Sequence, residues 1–352
     1  MKKALSFAIF SLLVLNTNPS HAAVIKNGAT CSKVGQIKNI STGKFTCTKA
    51  GKKLKWVFKE KLVEIKPIFQ PWSIDNQEET LISAALEKYS AWAKEHQGKA
   101  TNAAFYIDSR VDPNHSKVIE DSSRRAQEAF VSIRNADYKV FVSGEDSWIR
   151  TKLAELNMVG PPGTSVCGNS GAPNSYCAGN DHAFFVIRGN NSLLTMQKSD
   201  YQTPGHEYFH VVQLAIGGSQ TFGLMPRWFS EGSANFVGTA ISHELGYFDY
   251  RLTRAEEIRK PTTNRSIPLA SFQRNDSSVG LNEWLSPYGI GQVASEFIVA
   301  SVGMDAFLNI IKYTNELNSF EQGFKKATNL ELSEFYKLFD AGRINWGIQA
   351  VK

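Results

Sequence analysis

Two histidines one helical turn apart constrain this chain more than any other feature. His206-Glu207-Tyr208-Phe209-His210 can serve a single centre only on a helix, because residues i and i+4 then project from the same side. The flanks agree: Thr203 as N-cap, Pro204 in the first turn and Gly217-Gly218 past the end are helix start and stop signals. On such a helix both imidazoles can reach one Zn²⁺, Glu207 lies beside the open coordination position, and Phe209, Val212 and Leu214 pack the other faces. With seven histidines in 352 residues, an H-E-x-x-H by chance is on the order of one in a hundred.

A third ligand is within reach. Pro226-Arg227-Trp228-Phe229-Ser230-Glu231-Gly232 opens a second helix that runs to about Ser242, with Glu231 in its first turns. By itself a carboxylate there is favoured by the helix macrodipole. Beside the histidine motif it completes a His₂Glu set, because a helix, a Gly-rich turn and a returning helix can bring the three together with water as fourth ligand.

These residues resemble the gluzincin metallopeptidases, which include thermolysin-like enzymes and the alanyl and leukotriene-hydrolase-like aminopeptidases; the likeness is firmest over 203–242. The resemblance implies a zincin-like catalytic domain, α+β in class, with a twisted sheet, an active-site helix and a mainly helical C-terminal part. It also implies Zn²⁺ as cofactor, His206, His210 and Glu231 as its ligands, Glu207 as general base and a peptide or protein as substrate. In that group the strand before the active-site helix is an edge strand that receives extended substrate, and 183–187 holds the matching place. Tyr288-Gly289-Ile290-Gly291, followed by Phe297, Gly303, Phe307 and Ile311, is similar to the tyrosine-led helical region of the aminopeptidases, which makes Tyr288 a candidate hydrogen-bond donor to the oxyanion. A tyrosine buried at the start of a core helix explains the same residue.

Two departures bear on function. Thermolysin-like enzymes have an aspartate four residues after the glutamate ligand, where this chain has Asn235; an amide can accept from an imidazole N–H but brings no charge. The Gly-x-Met-Glu-Asn segment with which the aminopeptidases grip a free amine is absent, so the resemblance favours an endopeptidase. The alternatives from other classes are a non-catalytic cell-surface binding protein on a zincin scaffold and a hydrolase of a non-protein amide such as a cell-wall cross-link.

The rest of the chain sets the context. Lys2 and Lys3, an apolar run over 4–15 and the small residues Ala22 and Ala23 have the layout of a secretory signal peptide (1–22), and no later stretch reads as a membrane helix. Cys31, Cys47, Cys167 and Cys177 lack C-x-x-C spacing; their sequence pairs suggest two local bridges in an oxidising compartment, although four thiols allow three connectivities. Residues 24–66 hold eleven lysines against Glu60 and Glu64, net +9, and the chain after them is mildly acidic. Such a segment suits an anionic cell-surface polymer or lipid, or a simply solvated surface. Without arginine and with few aromatics it does not suit nucleic acid.

The expected order is a small β-rich, lysine-rich disulfide module (24–59), a linker with Pro67 and Pro71 (60–75), and the catalytic domain (76–352). That domain opens on a helix behind an Asp75–Glu78 capping box. Strands at 103–107 and 138–142 follow, with helices near 116–134 and 145–157. Residues 159–181, rich in Gly, Pro, Asn and Ser, read as a long surface loop stapled by Cys167 and Cys177. His115, His182 and His243 have no partner at ligand spacing.

Overall fold

The computed structural model of this chain describes residues 26–40, 43–60, 77–99, 103–167, 174–179, 181–187, 201–259, 267–273, 287–348 and 351. Contacts divide the chain into two compact units, Met1–Ile65 and Lys66–Lys352. The expected signal peptide, nearly all of the expected linker and Asp75 lie outside the described residues.

In the first unit β1 (Ile37–Ile40), β2 (Gly43–Ala50) and β3 (Lys53–Glu60) form an antiparallel sheet in chain order. The β2–β3 hairpin turns through Gly51 and Lys52; Gly51 sits at φ 61°, the left-handed region that tight two-residue turns require. Period-two alternation puts Phe45, Cys47, Leu54 and Trp56 on one face. There the Cys31–Cys47 disulfide, together with backbone bonds from the 28–31 segment to β3, closes a small core. The opposite face carries Thr46, Thr48, Lys53, Lys55, Val57 and Lys59, with Ile37 paired across from Thr46.

The second unit has a four-stranded sheet ordered β4-β5-β7-β6, made of β4 (Ala103–Ile107), β5 (Tyr138–Ser143), β6 (Asn174–Ala178) and β7 (His182–Ile187). The first three neighbours run parallel and β6 runs antiparallel to β7. One face of the sheet, through Phe141, Phe184 and Val186, packs on Ile149 and Leu153 of α3 (Asp146–Glu155). The other face, through Val140, Val142, Ala183, Phe185 and Ile187, joins the main core. That core is shared by α1 (Glu78–His96), α2 (Pro113–Ala129), α4 (Thr203–Gly217) and α6 (Arg227–Glu244), and by α8 (Tyr288–Leu317). Short α5 (Thr221–Leu224) links α4 to α6, α7 (Tyr250–Arg259) follows, and α9 (Phe320–Thr328) and α10 (Leu332–Gly342) end the chain.

Several expectations are corrected. Strand 183–187 is not an edge: it is β7, covered on its outer side by β6, which comes from the segment read as a loop. Within that segment Tyr176 and Ala178 alternate toward the main core and Cys177 toward the α3 side. Cys177 bonds Cys167, so the expected staple is present but pins a strand. Helix α1 begins with Gln77 at the N-cap, and Glu78 turns inward to pair with Arg254 instead of capping. For α2, Asp112 accepts from the N–H groups of Asn114 and His115 ahead of Pro113, which starts the helix earlier than its apolar periodicity suggests. Helix α8 is long and apolar enough, by length and composition alone, to cross a membrane; 72% of that window is buried inside the unit, and Gly303 interrupts the helix at φ 80°.

Candidate metal centre

The site is built by two helices that approach unusually closely. On α4, Gly205 faces Gly238 of α6, where a Cβ would stand 3.0 Å from the facing Cα. A Cβ on Gly238 would in turn meet the backbone N of His206 at 2.7 Å. This contact brings the base of the histidine turn against α6. Aromatic packing fixes the other side of α4, with Tyr208 edge-on to Tyr138 of β5 and Phe209 against Phe130. Gln202, not Thr203, occupies the N-cap position, and its side chain points inward.

His206, Glu207 and Glu231 are buried and His210 is half-buried. The Nε2 atoms of His206 and His210 are 3.0 Å apart, and Oε2 of Glu231 is 3.3 Å from each. A tetrahedral ion with bonds of about 2.0–2.1 Å separates its ligand atoms by about 3.3 Å. The three atoms therefore stand as three corners of one coordination tetrahedron, and together they could hold a metal ion.

What lies behind each imidazole decides which nitrogen faces the centre. Nδ1 of His206 is 2.7 Å from Oδ1 of Asn235, and Nδ1 of His210 is 2.7 Å from Oε1 of Gln213. Since these oxygens accept, each Nδ1 carries a proton, which leaves Nε2 as the atom through which each ring would bind a metal ion. Gln213 is itself fixed, donating to the Ser230 carbonyl at 2.9 Å and to Oγ of Ser233 at 2.8 Å. Nε2 of Gln202 reaches Oδ1 of Asn235 at 3.4 Å and Oε1 of the buried Glu257 at 3.3 Å, while the Thr239 hydroxyl donates to Oε1 of Gln202. The histidines are thus backed by neutral amides, with a carboxylate one step further out behind His206.

Protonation follows from burial and charge. Burial pushes the Glu207 carboxyl above the ordinary glutamate range, and Glu231 adds to this while the two imidazoles oppose it. For His210 burial acts downward, but the Glu231 and Glu207 carboxylates outweigh it and raise its pKa to about 9. Burial acts upward on Glu231, and the two histidines overcome it, holding that carboxyl well below the usual range. Tyr288 opens α8 with its ring stacked 5.9 Å from that of His206; burial first, and then the neighbouring Glu231 carboxylate to which it hydrogen-bonds, raise its pKa. Its position follows from a second glycine contact, because a Cβ on Gly232 would overlap the Gly291 backbone.

Three further residues complete the site: Gln213, Arg227, whose Nη1 is 2.6 Å from Oε1 of Glu231, and Phe222, edge-on to His210 at 5.5 Å. Gln213 is three residues after His210 and Arg227 four before Glu231, so helical spacing alone could have found both. No local signal marks Gln202 or Glu257. His182 lies outside the group and pairs with Asp181 at 2.7 Å, and Nδ1 of His243 accepts from the Tyr250 N–H. Compared with family models, curated proteins and solved structures, the chain matches none.

Proposed function

We propose that this chain is an exported zinc-dependent metallopeptidase of the gluzincin type, with a zincin-like catalytic unit. The observation that carries the reading is the triangle of His206 Nε2, His210 Nε2 and Glu231 Oε2, with sides of 3.0, 3.3 and 3.3 Å, next to the buried Glu207. Two nitrogens and one carboxylate oxygen suit Zn²⁺. Bound there, the ion would supply a Lewis acid and lower the pKa of water toward about 7.

The chain's own residues account for the remaining steps. Glu207, made more basic by burial, takes a proton from the attacking water and delivers it to the leaving amine. Tyr288, kept un-ionised by burial, would turn its hydroxyl from Glu231 to donate a hydrogen bond to the charge developing on the scissile carbonyl oxygen. Strand β6 packs against α4 and pairs with β7. Without the free-amine-gripping segment, internal bonds are the expected target. The two disulfides are compatible with an extracellular location, and the lysine face of the first unit is the candidate contact with an anionic surface.

The test combines metal analysis with activity. Wild-type protein is expected to hold one zinc per chain and to hydrolyse casein, whereas H210A loses the metal. E207Q is expected to keep zinc but lose on the order of 10²–10⁴-fold in turnover. Zinc without hydrolysis of any peptide would favour a binding protein, and release of fragments from purified cell wall but not from casein would favour a non-protein amide.

A further inference from the structure

The two oxygens of Glu231 have different surroundings. Oε2 faces both histidines at 3.3 Å, while Oε1 is turned away from them and meets Nη1 of Arg227 at 2.6 Å. Arg227 is the first residue of α6 and stands one turn before Glu231, so their spacing on the helix delivers the guanidinium to the carboxylate. Its backbone is tied down as well, since its N–H donates to the Gln273 carbonyl at 2.9 Å.

A carboxylate beside a metal ion can bind through one oxygen or chelate through two. Chelation by Glu231 would require Oε1 to swing toward the ion and leave a 2.6 Å ion pair at a residue that is only 5% exposed, where an unpaired guanidinium is costly. The geometry points to Arg227 as a positioning residue that holds Glu231 to one-oxygen coordination, which keeps the ion at three protein ligands with a place left for water. This rests on the metal-centre reading above. It adds a requirement that the three ligands alone do not impose: their identity permits a crowded five-ligand ion, and the arginine selects the open four-ligand one. An ordinary i,i+4 ion pair on a helix surface would strengthen the helix slightly but would leave the coordination number unchanged.

The experiment uses the full chain loaded with Co²⁺, whose visible absorption is strong when four-coordinate and weak when five- or six-coordinate. Wild-type protein is expected to give the strong band at one equivalent. R227M at saturating Co²⁺ is expected to give a band several-fold weaker, and R227K, which keeps a cation and a donor, to recover most of it. R227A removes the same guanidinium with a smaller residue and carries the same comparison if methionine prevents folding, as checked by circular dichroism. A band of wild-type intensity in R227M or R227A would overturn the inference, and so would a loss that R227K does not recover. Wild-type protein that takes up neither cobalt nor zinc would instead remove the metal-centre reading itself, a different result from an unchanged band.

Discussion

Asn235 puts a neutral amide behind His206, where the resemblance to thermolysin-like enzymes implies an aspartate. His206 still has an oxygen at 2.7 Å to fix its tautomer, but a neutral amide strengthens the imidazole as a ligand less than a carboxylate does. His210, backed by Gln213, is in the same position. In the metal-free protein the charge near the histidines comes instead from Glu231, which together with Glu207 raises His210 to about 9. His210 is therefore protonated at neutral pH and must shed that proton when an ion arrives. Metal affinity should accordingly rise with pH up to about 9 and fall by about tenfold per unit below it, as expected for one displaced proton. Calorimetric titration with Zn²⁺ at pH 7 in two buffers of different ionisation enthalpy should report about one proton released; no buffer dependence would contradict the assignment.

Helix α4 and helix α6 were legible as elements because their histidine and glutamate spacing, proline and glycine signals and apolar faces all agree. What the sequence concealed was contact. Nothing local announces that Gly205 meets Gly238, or that Gly232 meets Gly291, since a glycine that allows two backbones to touch looks the same as one in a turn. The second pair sets the approach of α8 and hence the place of Tyr288. G232A should drive a methyl into the Gly291 backbone and cost about 1–3 kcal/mol or more, measured by denaturant unfolding. The same variant should reduce peptide hydrolysis beyond any loss of zinc, because Tyr288 is displaced. Strand β6 was hidden for another reason: its five residues lie within a Gly-, Pro- and Ser-rich stretch, and its identity as a strand comes from pairing with β7 and bonding to Cys167, both non-local. Residue type favours Thr203 as the cap of α4, but the helix starts one residue earlier, with the N-cap at Gln202, whose side chain is committed to Asn235, Thr239 and Glu257.

For the molecule as a whole, charge is divided between the two units. Residues 26–60 contain nine lysines and one glutamate, and one sheet carries exposed Lys53, Lys55 and Lys59 on β3 and exposed Ile37 on β1. Each lysine near an anionic surface contributes about 1 kcal/mol, and an exposed apolar side chain adds to it. Full-length protein should therefore sediment with phosphatidylglycerol vesicles and not with phosphatidylcholine vesicles, and should be released by salt. The triple variant K53E/K55E/K59E should abolish binding without altering hydrolysis of a soluble peptide; retained binding would remove this face from the account. The bridge between Cys167 and Cys177 has a further consequence. All three candidate ligands belong to α4 and α6, whereas β6 is anchored by a disulfide. Mild reduction should therefore loosen β6, read as faster amide hydrogen exchange over 174–178, and spare bound zinc. A chain kept reduced would retain all three candidate ligands yet lose the bond that anchors β6, which makes oxidation the step that completes the sheet beside the candidate metal centre.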